Sequence, residues 1–269
     1  MHMSFGSIET YSEAMRRVME VRFILPDDKR FMPSAETAEN PNYDRPAKTL
    51  LLLNGYTHDN LEWLLNTRIF ELASAYNLAV ILPSGENGFY LNHEGINEHF
   101  ADFVGDELMQ YFHKTFGLSE KREDNFVGGL SMGGFGALHT GLAYSDHFSR
   151  IMALSSALIV HEIAGAKPGF VNAGGDYPYY RRIFGDLEQV LTSCNNPEQL
   201  ILNLQIEGKA IPELYLACGT EDFLLDNNRQ FKAFLDEHQV PAEYRESPGI
   251  HDYVFWNQYL EPGIQWMVR

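Results

Sequence analysis

The sequence predicts an α/β protein with a mostly parallel central sheet and helices on both faces. Apolar strand-like runs alternate with helical runs along the chain, a pattern typical of parallel strands joined by crossover helices. The chain has 269 residues, of which 45% are hydrophobic, enough to bury a large core. No linker, charge block or internal repeat divides it, so we expect a single domain over residues 1–269.

The predicted elements follow in a regular order. Residues 7–14 and 17–25 predict two N-terminal strands. Amphipathic patterns such as residues 98–112 predict the helices that separate the later strands. Those later strands are centred near Leu50, Val80, Phe126, Ile151, Leu214 and Tyr244.

Ser131 lies in the most informative segment of the chain. It is the centre of a Gly-x-Ser-x-Gly pattern between a strand-like run and a helix-like run, and Gly129 and Gly133 allow the sharp turn that exposes a nucleophilic serine. This pattern is typical of the nucleophile elbow of the α/β-hydrolase fold. The alternative interpretation is a glycine-rich turn that carries a surface serine.

In that fold the acid and the base follow the serine in chain order, each on a loop after a later strand. The apolar strand that begins near Ile211 ends in an acidic loop with Asp222 at its tip, and Asp222 is the predicted acid. Glu221 and Asp226 are rivals, although either carboxylate could simply favour the N-terminus of a following helix. Of ten histidines, only His251 combines the right order with a loop after the last strand, so His251 is the predicted base.

An oxyanion hole requires two donors near the serine. One is the backbone N–H of Met132, directly after the nucleophile. The other normally follows the third strand, where Leu53-Asn-Gly-Tyr nominates the backbone N–H of Tyr56. An ordinary Asn-Gly turn at the end of a strand is the alternative.

The whole chain resembles the esterase D group of α/β-hydrolases, and is most similar to its short-chain carboxylesterases of the bacterial tributyrin-esterase type. Each motif is weak alone, but together they are ordered and spread over most of the chain. The resemblance is carried by Asn87-Gly-Phe-Tyr, Gly129-Leu-Ser-Met-Gly-Gly, Tyr180-Arg-Arg-Ile-Phe-Gly, Cys218-Gly-Thr-Glu-Asp-Phe-Leu and Gly249-Ile-His-Asp-Tyr-Val-Phe-Trp.

This resemblance implies a serine carboxylesterase that cleaves short-chain acyl esters through an acyl-enzyme, without a metal or cofactor. It assigns the same roles to Ser131, Asp222 and His251, and to the backbones of Tyr56 and Met132. Related activities remain open: hydrolysis of S-formylglutathione, removal of acetyl or feruloyl groups from polysaccharides, and acyl transfer to a sugar. A serine peptidase and an inactive hydrolase-fold binding module are more distant alternatives. One departure is Asn54-Gly55, where the family often has His-Gly.

The segment at about 158–209 is where α/β-hydrolases often insert a small cap. Its aromatic residues could form the wall of an acyl pocket or could only cover the edge of the sheet. The same two interpretations apply to Phe89 and Tyr90, on a loop after an earlier strand. The aromatic residues of the segment are Tyr177, Tyr179, Tyr180 and Phe184.

The charge balance restricts the partners. Twenty basic against 37 acidic residues give a formal net charge of −17, which argues against nucleic acid and anionic membrane surfaces. Cys194 and Cys218 have no metal-binding spacing and are too few for a disulfide framework. We expect a cytoplasmic enzyme that acts on a small-molecule acyl ester, and the sequence leaves a homo-oligomer open.

Overall fold

The computed structural model describes residues 3–26, 40–95 and 97–269. Its main sheet has eight strands in the order β1-β2-β4-β3-β5-β6-β9-β10, and β7 and β8 form a separate two-stranded hairpin. The strands are β1 (Met3–Ser12), β2 (Arg17–Pro26), β3 (Lys48–Leu53), β4 (Leu78–Leu82), β5 (Asn125–Leu130), β6 (Arg150–Leu154), β7 (Val171–Asn172), β8 (Gly175–Asp176), β9 (Glu213–Gly219) and β10 (Ala242–Ser247).

The helices occupy most of the connections between strands. A π-helical turn, Phe103–Glu107, joins the third helix to the fourth, and short 3₁₀ turns cover Pro41–Asp44, Arg122–Asp124 and Val190–Thr192. The α-helices are α1 (Glu62–Asn66), α2 (Ile69–Tyr76), α3 (Phe100–Asp102), α4 (Leu108–Phe116), α5 (Met132–Ala143), α6 (Val160–Ile163), α7 (Tyr177–Phe184), α8 (Pro197–Glu207), α9 (Leu225–Glu237) and α10 (Tyr253–Val268).

The sheet is parallel from β4 to β10, and β1 and β2 form an antiparallel hairpin at one edge. Side chains of β3 alternate between two apolar cores. Leu51 and Leu53 belong to the core under α4, α5, α8 and α9, whereas Leu50 and Leu52 belong to the core under α2 and α10. The predicted fold class, an α/β-hydrolase fold with helices on both faces, is therefore confirmed.

The topology places four loops at one edge of the sheet, the edge formed by the carboxyl ends of the parallel strands. From β3 the chain goes to β4 on one side and then returns to β5 on the other, so the connections diverge beside β3. Open α/β sheets bind ligands beyond the carboxyl ends of the strands at such a switch point. The loops after β3, β5, β9 and β10 all leave from this edge.

The structure differs from the prediction at the bounds of β1 and at the β7–β8 hairpin. The first strand begins and ends earlier than residues 7–14, because its whole length pairs with β2 from Met3 opposite Pro26 to Ser12 opposite Arg17. The β7–β8 hairpin was not predicted, since two-residue strands carry no readable periodicity. Within the described ranges, none of the helices has the length and apolarity needed to cross a membrane.

Candidate active site

Ser131 occupies a strained turn between β5 and α5. Its backbone has φ 53° and ψ −119°, a region that non-glycine residues rarely adopt. The turn is possible because its neighbours are glycines: a Cβ on Gly129 would lie 2.1 Å from the carbonyl oxygen of Gly133, and one on Gly133 would lie 2.2 Å from that of Leu53. The Ser131 N–H donates to the carbonyl of Leu154 at 2.9 Å, which anchors the turn to β6.

The structure brings His251 and Asp222 to Ser131. The Nε2 atom of His251 lies 2.9 Å from Ser131 Oγ, and its Nδ1 lies 2.9 Å from Asp222 Oδ2. Asp222 is on the loop between β9 and α9, and His251 is on the loop between β10 and α10. Three side chains that are distant in sequence thus form one continuous hydrogen-bonded row.

Asp222 is held as a carboxylate. Burial opposes its ionisation, but hydrogen bonds from His251 and from the N–H of Leu224 outweigh burial and lower the pKa of Asp222. The side chain of Asp222 is fully buried while that of His251 stays 17% exposed. An ionised, buried carboxylate fixes the imidazole orientation and stabilises a positive charge on it.

The rival carboxylates have other contacts. Glu221 accepts hydrogen bonds from the Gly249 N–H at 2.6 Å and from the Thr220 hydroxyl at 2.8 Å, which ties the loop after β9 to the loop after β10. Asp226 lies in the first turn of α9, as the alternative interpretation expected. Asp222 is therefore the carboxylate that hydrogen-bonds to His251.

Two aromatic rings pack against the imidazole of His251. The ring of Phe223 lies 4.6 Å from it between centroids, and that of Trp256 meets it edge-on at 4.9 Å. The Trp256 indole N–H donates to Ser155 Oγ at 3.0 Å, which fixes its orientation. Sequence reasoning missed both rings, although each lies within a motif that carries the family resemblance.

The backbone N–H groups of Tyr56 and Met132 face no acceptor among the described residues. Met132 is the first residue of α5, where an N–H has no partner inside the helix. Tyr56 follows β3, beside the Ser131 turn, because Gly133 of that turn packs on the carbonyls of Leu53 and Asn54. Both groups are thus free to donate to a ligand.

Asn54 explains how the loop after β3 is supported without the histidine that is common in the family. Its Nδ2 donates to the carbonyls of Gly55 and His58, both at 2.8 Å. Its Oδ1 accepts from the Tyr90 hydroxyl at 2.7 Å and the Gly85 N–H at 3.1 Å. Tyr90 is therefore a buried support for this loop and does not line the cleft.

A cavity of about 410 Å³ opens beside Ser131. Its wall is mostly apolar, and Glu162 and Asn172 are its polar side chains besides the hydroxyls of the serine and the tyrosines. Of the aromatic residues considered from the sequence, Phe89 and Tyr180 line this cavity, and Phe184 packs behind Phe89 with ring centroids 5.0 Å apart. The lining residues are Tyr56, Phe89, Ser131, Met132, Ala157, Ile159, Glu162, Asn172, Ala173, Gly174, Tyr180, Phe223 and Leu224.

The segment at about 158–209 contributes one wall of the cavity. The β7–β8 hairpin supplies Asn172 and Gly174, and the Tyr56 hydroxyl donates to the Gly174 carbonyl at 3.4 Å. Tyr179 packs edge-on against Tyr56 and donates to the Asn87 carbonyl at 2.7 Å. Across the part of the chain that the structure describes, no group of three or more His, Cys, Asp or Glu side chains could hold a metal ion.

Comparison with known proteins gives consistent matches over the whole length. A family model named Esterase and described as "Putative esterase" matches residues 12–267. An "Acetyl esterase" of Caldicellulosiruptor saccharolyticus is 43% identical over 267 residues, which cover 99% of each chain. Among solved structures, the fluorophosphonate-binding serine hydrolase FphF of Staphylococcus aureus has a TM-score of 0.83 at 31% identity, with 99% of each chain covered. The S-formylglutathione hydrolase FrmB of the same organism has a TM-score of 0.82 at 31% identity, with 100% of each chain covered.

Proposed function

Because the chain belongs to the Esterase family and is a serine hydrolase of carboxylic esters, we propose that Ser131, His251 and Asp222 are its nucleophile, base and acid. The observation that carries this assignment is the pair of contacts on one imidazole: Nε2 lies 2.9 Å from Ser131 Oγ and Nδ1 lies 2.9 Å from Asp222 Oδ2. This is the arrangement that proton transfer from the serine requires.

The first half of the reaction acylates the serine. As Ser131 Oγ attacks the ester carbonyl carbon, His251 Nε2 takes the hydroxyl proton and Asp222 stabilises the imidazolium. The N–H groups of Tyr56 and Met132 donate to the oxyanion of the tetrahedral intermediate. Nε2 then gives the proton to the leaving alkoxide oxygen as the C–O bond breaks, so that the alcohol departs and the acyl group stays on Oγ.

Water completes the second half. His251 takes a proton from water as its oxygen attacks the acyl carbon, and the same two N–H groups hold the new oxyanion. Collapse of this intermediate breaks the bond to Ser131 Oγ, which recovers a proton from Nε2 while the carboxylic acid leaves. Every step uses side chains and backbone groups of the chain itself.

We propose that the acyl group is short, with acetyl preferred. The full-length similarity to an acetyl esterase supports this choice. The apolar cavity of about 410 Å³ suits a small acyl group with a modest alcohol portion. Short-chain glycerol esters such as tributyrin are included, as the resemblance to that esterase branch suggests. Segment 158–209 acts as a small cap within a single domain.

Hydrolysis of S-formylglutathione is the second candidate, because the FrmB structure matches over the full chain. The charges favour the first candidate. S-Formylglutathione is an anionic thioester, whereas Glu162 lines the cavity and the chain has a net charge of −17. Like charges disfavour binding of such a substrate.

A substrate panel tests the proposal. We expect p-nitrophenyl acetate and butyrate to exceed the octanoate in kcat/KM, and acetylated xylan to exceed methyl ferulate. A kcat/KM for S-formylglutathione well above that for p-nitrophenyl acetate would establish the second candidate instead. Ser131→Ala should lower kcat by several orders of magnitude with little change in melting. A Ser131→Ala variant that keeps most activity would refute the assignment of the nucleophile.

We also propose a cytoplasmic location. Both cysteines are free thiols, which suits a reducing compartment. Burial raises the pKa of Cys218 to about 12, so its thiol stays protonated in the core. Fractionation of the native host is the direct test, and recovery of the enzyme only outside the cell would contradict this location.

A further inference from the structure

Glu62 is a buried carboxylate beside the site with no part in the chemistry described above. It lies on α1, and its side chain is 1% exposed. Its Oε2 accepts from the N–H of Gly55 at 2.5 Å, and its Oε1 accepts from the hydroxyl of Tyr253 at 2.7 Å. Glu62 thus contacts both the loop after β3 and the first turn of α10.

Burying a carboxylate in this position costs free energy of folding. Burial raises the pKa of Glu62, and the hydrogen bonds from Gly55 and Tyr253 only partly oppose that rise. An apolar residue of similar volume is often equally good or better for stability than a buried ionic group. Stability alone therefore does not account for a glutamate here.

The contact with Gly55 acts next to the proposed oxyanion donor. Glu62 holds the N–H of Gly55, and Asn54 Nδ2 holds its carbonyl at 2.8 Å. Because a peptide unit is planar, fixing the Gly55 carbonyl directs the N–H of Tyr56 to the opposite side. With both ends of Gly55 held, the backbone that aims the Tyr56 N–H has little freedom to rotate.

The contact with Tyr253 reaches the loop that carries His251. Tyr253 is two residues beyond His251, and its ring meets Trp256 edge-on at 5.0 Å. Trp256 in turn packs against the imidazole of His251. The other titratable neighbours of Glu62 are Asp59 and His58, whose Nε2 lies 3.8 Å from Glu62 Oε1. One carboxylate therefore links the oxyanion loop to the loop of the base.

We propose that Glu62 is a positioning residue, which holds the Tyr56 N–H in register with the tetrahedral intermediate. This inference rests on the proposed function of Ser131, His251 and Tyr56. Removing an oxyanion donor costs about 10²- to 10³-fold in kcat. Loss of Glu62 displaces the donor without deleting it, so we expect a loss of about 10- to 100-fold.

The test compares Glu62→Met with Glu62→Gln. Methionine has a similar volume but no acceptor for Gly55, whereas glutamine keeps one oxygen that can accept its N–H. We expect Glu62→Met to lose about 10- to 100-fold in kcat with KM within about threefold, and Glu62→Gln to stay within about fivefold of the wild type. Tyr253→Phe keeps the Gly55 contact and should resemble Glu62→Gln.

Glu261→Met is the matched control. Glu261 also accepts a tyrosine hydroxyl, that of Tyr76 at 3.0 Å, but it lies in the middle of α10 and its side chain is 38% exposed. Every kcat is normalised to active sites titrated with a fluorophosphonate, so that unfolded protein does not count. We expect Glu261→Met to keep the wild-type kcat.

A trifluoromethyl ketone inhibitor supplies the decisive readout, because its adduct with the serine carries an oxyanion. Its affinity should fall in Glu62→Met by the same factor as kcat/KM. A Glu62→Met variant with normal kcat per titrated site, or a Glu62→Gln variant as impaired as Glu62→Met, would overturn the positioning role. Failure of the wild type to label at Ser131 would instead reject the proposed function itself.

Discussion

Replacement of Asp222 by asparagine tests the proposed acid with almost no change in shape. In the structure, Asp222 Oδ2 accepts from His251 Nδ1 at 2.9 Å, and Oδ1 accepts from the Leu224 N–H at 2.9 Å. Asparagine can keep the bond to Leu224 through its oxygen. It then presents an amide N–H₂ to Nδ1, which favours the tautomer with the proton on Nε2. That nitrogen can no longer accept the proton of Ser131.

The expected loss follows from this tautomer change and from the missing negative charge. In a serine hydrolase triad the same replacement lowers kcat by about 10⁴-fold, equivalent to about 5.4 kcal/mol of transition-state stabilisation. The effect on folding is smaller, because one charged hydrogen bond contributes about 1.5 to 3 kcal/mol. A change of about 2 kcal/mol shifts the melting temperature of a protein this large by about 4 to 8 °C.

The assay is hydrolysis of p-nitrophenyl acetate, with melting followed by circular dichroism. Asp226→Asn is the matched control, since Asp226 is a carboxylate in the first turn of α9 that was a rival in the sequence. We expect Asp226→Asn to keep nearly full activity. If Asp222→Asn lost less than about tenfold, or if Asp226→Asn lost as much as Asp222→Asn, the assignment of the acid would be wrong.

Three further predictions use other features of the site. In urea titrations, the free energy of unfolding of Ser131→Gly should be about 1 kcal/mol higher than that of Ser131→Ala, because glycine tolerates the φ of 53° at this position. Equal free energies of unfolding for the two variants would contradict backbone strain at residue 131. Neutral esters should exceed anionic esters of equal size by about fivefold in kcat/KM at low salt. This difference should narrow in Glu162→Gln and in 0.5 M salt, where the Debye length is about half its value of about 10 Å at 0.1 M; an unchanged difference would exclude an effect of the negative charge on substrate preference. Burial raises the pKa of Glu62 in the folded protein, where it faces His58, Asp59 and Tyr253. Its contribution to stability is therefore fully present below the pKa of about 4.3 that it has in the unfolded chain, and is lost as the pH rises through the pKa that it has in the folded protein. Between these two pKa values the free energy of unfolding should therefore fall less steeply with pH in Glu62→Gln than in the wild type. Parallel curves of unfolding free energy against pH for the two proteins would count against a raised pKa.

Local sequence signals were sufficient to predict Ser131, Asp222 and His251, the three residues that the structure brings together. The prediction of Ser131 depends on flanking glycines that the turn requires, and the predictions of Asp222 and His251 depend on their positions after late strands. These signals are short-range, because each depends on one strand and the loop that leaves it. Their convergence is a consequence of the parallel sheet, which sends all of these loops to one edge.

The supporting contacts could not be predicted in the same way. Tyr90 holds Asn54 across 36 positions, and Tyr253 reaches Glu62 across 191. A pairing of this kind depends on the strand order, which alternation of strands and helices leaves open. Glu62 appears in the sequence as an ordinary polar residue before Trp63, and only the fold reveals that its carboxylate is buried.

The site gathers several costs that the rest of the fold must offset. Ser131 has a strained backbone, and such residues cost about 1 to 3 kcal/mol each. Asp222 and Glu62 are both withdrawn from water, and each is acceptable only because its oxygens have donors. Two cores, one on each face of the sheet, supply the stability that allows these features. In the proposed mechanism, these costs cluster where a hydroxyl, an imidazole and two N–H groups hold fixed positions before the substrate arrives, as electrostatic preorganisation requires.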